Sequence, residues 1–474
     1  MKSKTKSREL ILQDSTVVFS NSHESLIQAR LLHFSHHLVI FETQSPDVIV
    51  QTSEVLLDFR IQVNSRPIYS GRAIVTSSVT TGPTTICQAS LEDAWLDLEA
   101  FKLVLKPKQL RAGFDGFINS WQKVYQILPE YKIVIADIQT FLSDLRLWLE
   151  QVELGIRSSP AEDQAKLEEE IAHDLRGPVG SALGNMFERF EAICANIEED
   201  MHPAHRAFGQ RQLHSLLLCA PFIHRTYAKP LGYAGDYEMM NMIVRNGLEG
   251  NSLYAKLVNG YLLDQVGPQS VRNRVDYLNN RIVDETSRMT ALGKIAKIYC
   301  IACGPAWEVR NFIAESPLAN HAQFELLDFN EETLQHTQSK IDDVKKLHQR
   351  RTPVKFVRSS VQNLLVGKSK PMEQAGYDLI YCSGLYDYLN DRIIKALNSY
   401  LYDKLTPGGL LVVGNFAPCT PVRNFIEHFL EWFLIYRDGR QLSALAPNQV
   451  GPADCKVVSE PTGANIFLEV RKSP

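Results

Sequence analysis

Gly304 follows the apolar run "AKIYCIAC" and precedes "PAWEV", so a buried strand ends in a turn that opens a helix. A glycine there lets a bound molecule lie close to the backbone. Asp328 ends a second apolar run, "AQFELLDFN", where a carboxylate can accept from two neighbouring hydroxyls of a ligand. Ser360 and Val361 lie within a third segment, "VRSSVQNL", and Ser383, Gly384 and Leu385 end a fourth, "YDLIYCSGL". A dinucleotide would lay its pyrophosphate on the amides of the helix opening near Trp307. Glu308 stands in that first turn and repels phosphate, and no G-x-G-x-x-G is present. An acid at that helix start suits a ligand that brings positive charge.

A second set could act on an acceptor. "SGLYDYLND" offers Tyr386, Asp387 and Tyr388, "FLIYRDGRQL" adds Tyr436 and Arg437, and "SVRNRVDYLNNRI" carries Arg272 and Arg274. Arginine and tyrosine hydroxyls are suited to orienting a carboxylate. Tyr386, Tyr388 and Arg437 are the catalytic candidates. "YAKPLGYAGDYEMMNMI" sets Gly232 and Gly235 among Tyr227, Tyr233 and Tyr237, beside Asp236. Glycine turns with so much aromatic surface suit a lid or a close ligand approach.

These residues need elements to hold them. At 474 residues the chain is too long for one ordinary core. Residues 1–100 favour short strands, "STVVFS", "QARLLHF", "HLVIFET", "VIVQTSEVLLDFRIQV", "YSGRAIVTSSV" and "TTICQASL", which predict a small barrel. Residues 101–290 carry apolar positions at three- and four-residue spacing and predict helices. From 291 strands alternate with helices, "TPGGLLVVGNF" opens a fifth strand, "PVRNFIEHFLEWFLI" reads as a helix, and "CKVVSEPTGANIFLEVRK" closes as a hairpin. This α/β pattern predicts a parallel sheet with a crevice at the strand carboxyl ends.

Net charge of −4 gives no reason to expect nucleic acid as a partner. No apolar run approaches the ~18 residues needed to span a bilayer, and "MKSKTKSRELILQDS" lacks the apolar core of a secretion signal. The eight cysteines, several in strand-like runs, suit reduced thiols and a cytoplasmic setting. Cys300 and Cys303 form a CxxC on a strand with no second pair nearby, which reads as strand thiols and not metal. His202 and His205 read as helix-cap and surface histidines.

The C-terminal unit resembles a class I S-adenosylmethionine (SAM) methyltransferase, a Rossmann-like domain. "ACGPAWEV" resembles its glycine loop, and "ELLDFN", "VRSSVQNL", "YDLIYCSGLYDYL" and "LTPGGLLVVGNF" resemble its second to fifth strand segments. The resemblance implies SAM as cofactor, held by Gly304, Pro305, Ala306, Glu308, Asp328, Phe329, Asn330, Ser360, Val361, Ser383, Gly384 and Leu385. It departs at Ala302, where the family commonly has an acid for the SAM ammonium; Glu308 or Asp236 could substitute. Tyr233, Gly235, Asp236, Arg272, Arg274, Asp387 and Tyr436 would serve the lid and acceptor.

The whole layout, with "KPLGYAGDYEMM", "VRNRVDYL", "SGLYDYL" and "EWFLIYR", resembles bacterial methyltransferases of 3-hydroxypalmitic acid methyl ester signalling. That implies carboxyl methylation of a small apolar acid to a quorum signal. The first region resembles a degenerate PilZ barrel: "HFSHHL" keeps Ser35 but has His33 and His37 instead of the acid or amide and the glycine, and Arg8 and Arg30 form no pair. A methyltransferase acting on a protein or amine, and a non-catalytic SAM-binding regulator, are the alternatives. A homodimer is a further expectation.

Overall fold

The computed structural model describes residues 15–22, 26–35, 37–43, 50–63, 66–81, 84–92, 114–115, 118, 126–365, 376–419, 421–447, 449–451 and 454–473. Arg8 and His36 lie outside these residues, as does most of "GFINSWQKVYQIL".

Six strands, β1 (Ser15–Ser20), β2 (Leu26–Ser35), β3 (Leu38–Thr43), β4 (Val55–Val63), β5 (Arg66–Thr81) and β6 (Thr84–Leu91), close a barrel in the order β1-β2-β3-β6-β5-β4. Alternate residues point inward, so Val17, Phe19, Leu31, Phe41, Phe59 and Ile61 fill it. Arg30 is paired opposite Glu42 on an exposed stretch of β2. The expectation of one strand across "VIVQTSEVLLDFRIQV" is corrected: β4 starts only at Val55. Glu54, fully buried, accepts from Ser22 Oγ at 2.7 Å, Ser22 N at 2.8 Å and Gln51 N at 2.9 Å, and Ser53 takes φ +64°. Those bonds compete with strand pairing and turn residues 50–54 into a loop.

Helices run from Pro129 to Ala291. Pro129–Arg157, Ala161–Cys194 and His202–Leu217 bury Tyr131, Ile138, Leu142, Phe187, Phe190 and Leu213 in one apolar core. "SPAEDQAKLEEEIAHDL" and "GSALGNMFERF" belong to a single helix, with Pro178 inside it. Val179, Leu183 and Phe187 pack one face and hold the helix together across the missing proline N–H. His205 is fully buried, against the surface expectation, because it accepts from Leu128 N at 3.0 Å and bonds Met201 O at 2.8 Å. His202 bonds His428, which bonds Tyr131 Oη, each at 3.0 Å.

The remaining strands are β7 (Ala296–Ile301), β8 (Ala322–Asp328), β9 (Val354–Arg358), β10 (Tyr377–Cys382), β11 (Leu405–Phe416), β12 (Cys455–Ser459) and β13 (Asn465–Arg471). Their order is β12-β13-β11-β10-β7-β8-β9, parallel from β9 to β11, with β13 antiparallel to both its neighbours. Chain order reverses between β7 and β10, and a crevice opens at such a switch point. The helix expected over 421–435 ends at Phe429. Glu431 takes φ +48°, and residues 432–437 run on without helix. Among the described residues no helix is long and apolar enough to cross a membrane, and no metal-binding cluster is found.

Candidate functional site

The turn after β7 is built from three left-handed residues in alternation, Ala302 (φ +52°), Gly304 (φ +52°) and Ala306 (φ +48°). Cys303 N donates to Leu327 O at 2.9 Å, Gly304 N to Asp328 Oδ2 at 3.1 Å, and Thr337 Oγ1 to Gly304 O at 2.7 Å. These bonds pin the turn against the end of β8 and leave the outer side of Gly304 open. A Cβ at Gly304 would meet no protein atom within 4 Å. Gly304→Ala is therefore expected to cost folding only its left-handed strain, about 1 kcal/mol. It is also expected to weaken binding of S-adenosylhomocysteine, the product form of SAM. Calorimetric titration beside a melting curve separates the two effects.

A cavity spreads above this turn. Its wall includes Gly304, Pro305, Ala306 and Glu308 from the turn and the next helix, and Asp328 and Phe329 from the end of β8. Ser360 and Val361 line it after β9, and Ser383, Gly384 and Leu385 after β10. Asp387, Tyr388, Arg274, Tyr233 and Gly235 complete the predicted residues that meet there.

Asp328 is 5% exposed, and its Oδ1 accepts from Asn330 N at 3.0 Å. Burial pushes its carboxyl up to about 6, while the amides of Asn330, Gly304 and Phe329 pull it down. Glu308 is raised by burial and accepts from Tyr381 Oη at 2.8 Å. Burial likewise carries Asp387 up to about 6; its Oδ1 accepts from Phe416 N at 2.6 Å.

Arg274 is buried, and its Nη1 donates to Ser383 O at 2.8 Å. Among the described residues no carboxylate lies within ion-pair distance of it, although Asp387 and Glu308 are near enough to influence its charge. Tyr388 Oη accepts from Trp432 Nε1 at 2.8 Å, which leaves its own O–H to donate elsewhere. Burial pushes the Tyr388 phenol upward, so it is a donor and not a base at neutral pH.

The segment predicted as a lid packs against residues that follow the strand ends. Tyr233 packs on Phe329 with ring centroids 5.0 Å apart, Tyr237 Oη donates to Glu332 at 2.8 Å, and Trp307 Nε1 donates to Asn241 Oδ1 at 2.8 Å.

Several predicted residues stand elsewhere. Tyr386 is fully buried and donates to Asn398 Oδ1 at 2.6 Å. Arg437 donates to Asn415 Oδ1 at 2.7 Å, Leu389 O at 2.7 Å, Tyr386 O at 3.0 Å and Asp391 Oδ1 at 2.8 Å. Neither lines the cavity, so two of the three catalytic candidates are internal braces. Arg272 donates to Ile243 O at 3.1 Å and Leu263 O at 3.0 Å. Tyr436 lies under the Arg423 guanidinium, 4.9 Å from ring centroid to Cζ. Asp236 caps the helix Tyr237–Arg245 and pairs with Arg225 at 2.8 Å, so it is not free for an ammonium. Asn330 caps the helix Glu331–Leu347.

Sequence reasoning missed Gln51, Thr52, Met240, Val271, Phe416 and Trp432, which also line the cavity. Trp432 was hidden inside an apparently amphipathic helix. Thr52 had a signal in hindsight: an acid and hydroxyl residues inside an apolar run, "QTSEV".

Residues 232–440 match the model of a family described as "Putative methyltransferase", a stretch from the lid to the far side of the sheet. That match supports a methyltransferase. No curated protein matches the chain. The chain is also similar to solved structures. Magnesium protoporphyrin IX methyltransferase from Synechocystis, with bound S-adenosylhomocysteine, is 14% identical over 44% of this chain and 88% of its own, at a TM-score of 0.31. The N-methyltransferase NodS from Bradyrhizobium japonicum, also with S-adenosylhomocysteine, is 12% identical over 50% and 99%, at 0.29. A protein of Bordetella parapertussis described as exported is 15% identical over 53% and 86%, at 0.42.

Proposed function

We propose that the cavity binds SAM and that the chain methylates the carboxylate of an apolar acid, a 3-hydroxy fatty acid giving a methyl ester signal. What carries the reading is one cavity that holds both the buried acid Asp328 at a strand end and the buried guanidinium Arg274, with no carboxylate paired to it among the described residues. Asp328 accepts from the ribose hydroxyls, with Phe329 and Val361 beside the adenine. Arg274 takes the carboxylate of the methionine end, and Glu308 and Asp387, which flank Arg274, serve its ammonium in place of the acid that Ala302 does not provide.

When bound, SAM supplies an electrophilic methyl group. The chain's part is alignment of the acceptor for an in-line displacement. A carboxylate needs no deprotonation at pH 7, which agrees with Tyr388 as a protonated donor that orients the acceptor oxygen.

A second, apolar cavity shares Val271, Phe416 and Trp432 with the first and is lined by Phe222, Ile243 and Leu262. It supports an acceptor with a hydrocarbon tail over a protein or amine. The barrel belongs to this reading as a PilZ-like module that has lost its dinucleotide, and the cytoplasm as its setting.

Incubation with methyl-labelled SAM and 3-hydroxyhexadecanoate tests the proposal. Label that mild alkali releases as methanol is expected; alkali-stable label, or none, overturns the carboxyl acceptor.

A further inference from the structure

The barrel does not stand apart from the cavity. Its loop 50–54 reaches into the wall, where Gln51 and Thr52 line the same space as Tyr388, Trp432 and the lid. Two attachments seat the loop. Ser53 Oγ donates to Phe433 O at 2.8 Å and also accepts from Phe433 N, next to Trp432 in the chain. Val55 N donates to Gly232 O at 2.8 Å, which joins the first residue of β4 to the lid. Phe433 further packs with Val55 and Ile74 of the barrel. Ser53 is held at φ +64°, a left-handed conformation that costs a non-glycine residue, while Gly232 takes φ +84° freely.

Thr52 is 4% exposed, and its hydroxyl has no hydrogen-bond partner among the described residues. A buried hydroxyl without a partner is costly, so one on a residue that lines a cavity is a candidate contact for what the cavity holds. The two neighbours already used by this loop are Phe433 and Gly232. The first adjoins Trp432, whose indole holds Tyr388, and the second precedes Gly235, whose Cβ position lies 3.2 Å from Tyr388 Oη. The loop therefore stands where Tyr388 and the segment 232–235 meet in the cavity wall.

We propose that the barrel is a structural wall of the catalytic cavity, and that Thr52 Oγ1 hydrogen-bonds a polar group of the methyl acceptor. The inference rests on the reading of the cavity as a SAM site. Thr52 is then a specificity residue supplied by one domain to chemistry carried out on another. For a 3-hydroxy acid, the group it reads is the hydroxyl.

Two measurements on the full chain test it. In hydrogen–deuterium exchange, S-adenosylhomocysteine is expected to slow exchange in peptides covering 50–56 and 230–235 as well as 302–308. Protection of 302–308 with none at 50–56 overturns the barrel wall and leaves the cofactor reading standing. Protection nowhere sinks the cofactor reading, and this inference with it.

In the methyl-transfer assay, Thr52→Val keeps the shape and removes the hydroxyl. It is expected to raise KM for 3-hydroxyhexadecanoate at least tenfold, to leave KM for hexadecanoate and the affinity for S-adenosylhomocysteine within twofold, and not to lower the melting temperature. Thr52→Ser restores the wild-type KM. An unchanged KM for the hydroxy acid in Thr52→Val overturns the contact. If the wild-type chain turns over neither acid, the exchange result alone decides the barrel wall, and the assigned contact falls with the acceptor.

Discussion

Asp328→Ala is expected to weaken binding of S-adenosylhomocysteine by about 1–3 kcal/mol, roughly 5- to 150-fold, as for the loss of a charge-assisted buried contact. The side chain has two roles that the substitution removes together: it holds Gly304 N at 3.1 Å and offers its remaining lone pairs to the cavity. Asp328→Asn separates them, because an amide keeps one acceptor and loses the charge.

The same carboxyl sets a pH dependence. Its folded value, about 6, lies above the ordinary 3.8, so burial of this group favours the ligand-free fold while the carboxyl is protonated. That contribution is full below the ordinary value and is lost as the pH rises through 6. Ligand hydroxyls donate to the charged form and pull the other way. Binding thus releases a proton from Asp328 near pH 6, which alone raises affinity about tenfold from pH 5 to pH 7 before levelling off, and Asp387, also carried up to about 6, adds to the rise in the same direction. Calorimetry in buffers of different ionisation enthalpy reads the proton release. An affinity flat between pH 5 and 7 counts against Asp328 as a ligand group.

Arg437→Met is expected to destabilise the chain by about 3 kcal/mol while leaving affinity for S-adenosylhomocysteine within a few-fold of the original. The guanidinium is 3% exposed and is satisfied by four acceptors, two of them main-chain carbonyls of the segment after β10. Removing it leaves Leu389 O and Asn415 Oδ1 without the arginine donor, and Tyr386 O with the Leu389 N–H at 3.3 Å. Asp391, whose side chain is 69% exposed, contributes little, since water can replace the arginine there. A chemical-denaturation midpoint that drops with cofactor affinity kept supports the brace. A variant of unchanged stability that no longer methylates would return Arg437 to the catalytic set.

The residues that meet in the cavity were the easier half to read. Gly304 and Asp328 each end an apolar run of strand length, and a parallel sheet gathers all such ends on one edge. Their chemistry and their position thus come from the same local pattern. Tyr386 sits between the cavity residues Leu385 and Asp387, and Arg437 five residues after Trp432, yet local pattern says nothing about which carbonyls a side chain will find after folding. Arg437 finds Asn415 Oδ1, 22 residues away, at 2.7 Å. A long polar side chain near a strand end reads equally as ligand group or brace.

The loop 50–54 was harder to read, for a different reason. The apolar residues on either side fit a strand, and the bonds from Ser22 and Gln51 to Glu54 and from Ser53 to Phe433 overrule it. The contribution of Trp432 depends on the helix stopping at Phe429, where Trp432 N turns back to Ile426 O at 3.0 Å. The loop depends on Ser22, 32 residues from Glu54, which no window of sequence around it contains, whereas the helix end is a local bond that the apolar spacing of the segment masks.

The most direct test is a crystal soaked with S-adenosylhomocysteine. The account predicts the ligand over Gly304, its ribose hydroxyls on the Asp328 carboxylate and its amino-acid carboxylate on Arg274. A crevice that stays empty at saturating ligand, or one that takes a dinucleotide with its pyrophosphate on the helix beginning at Trp307, would contradict it.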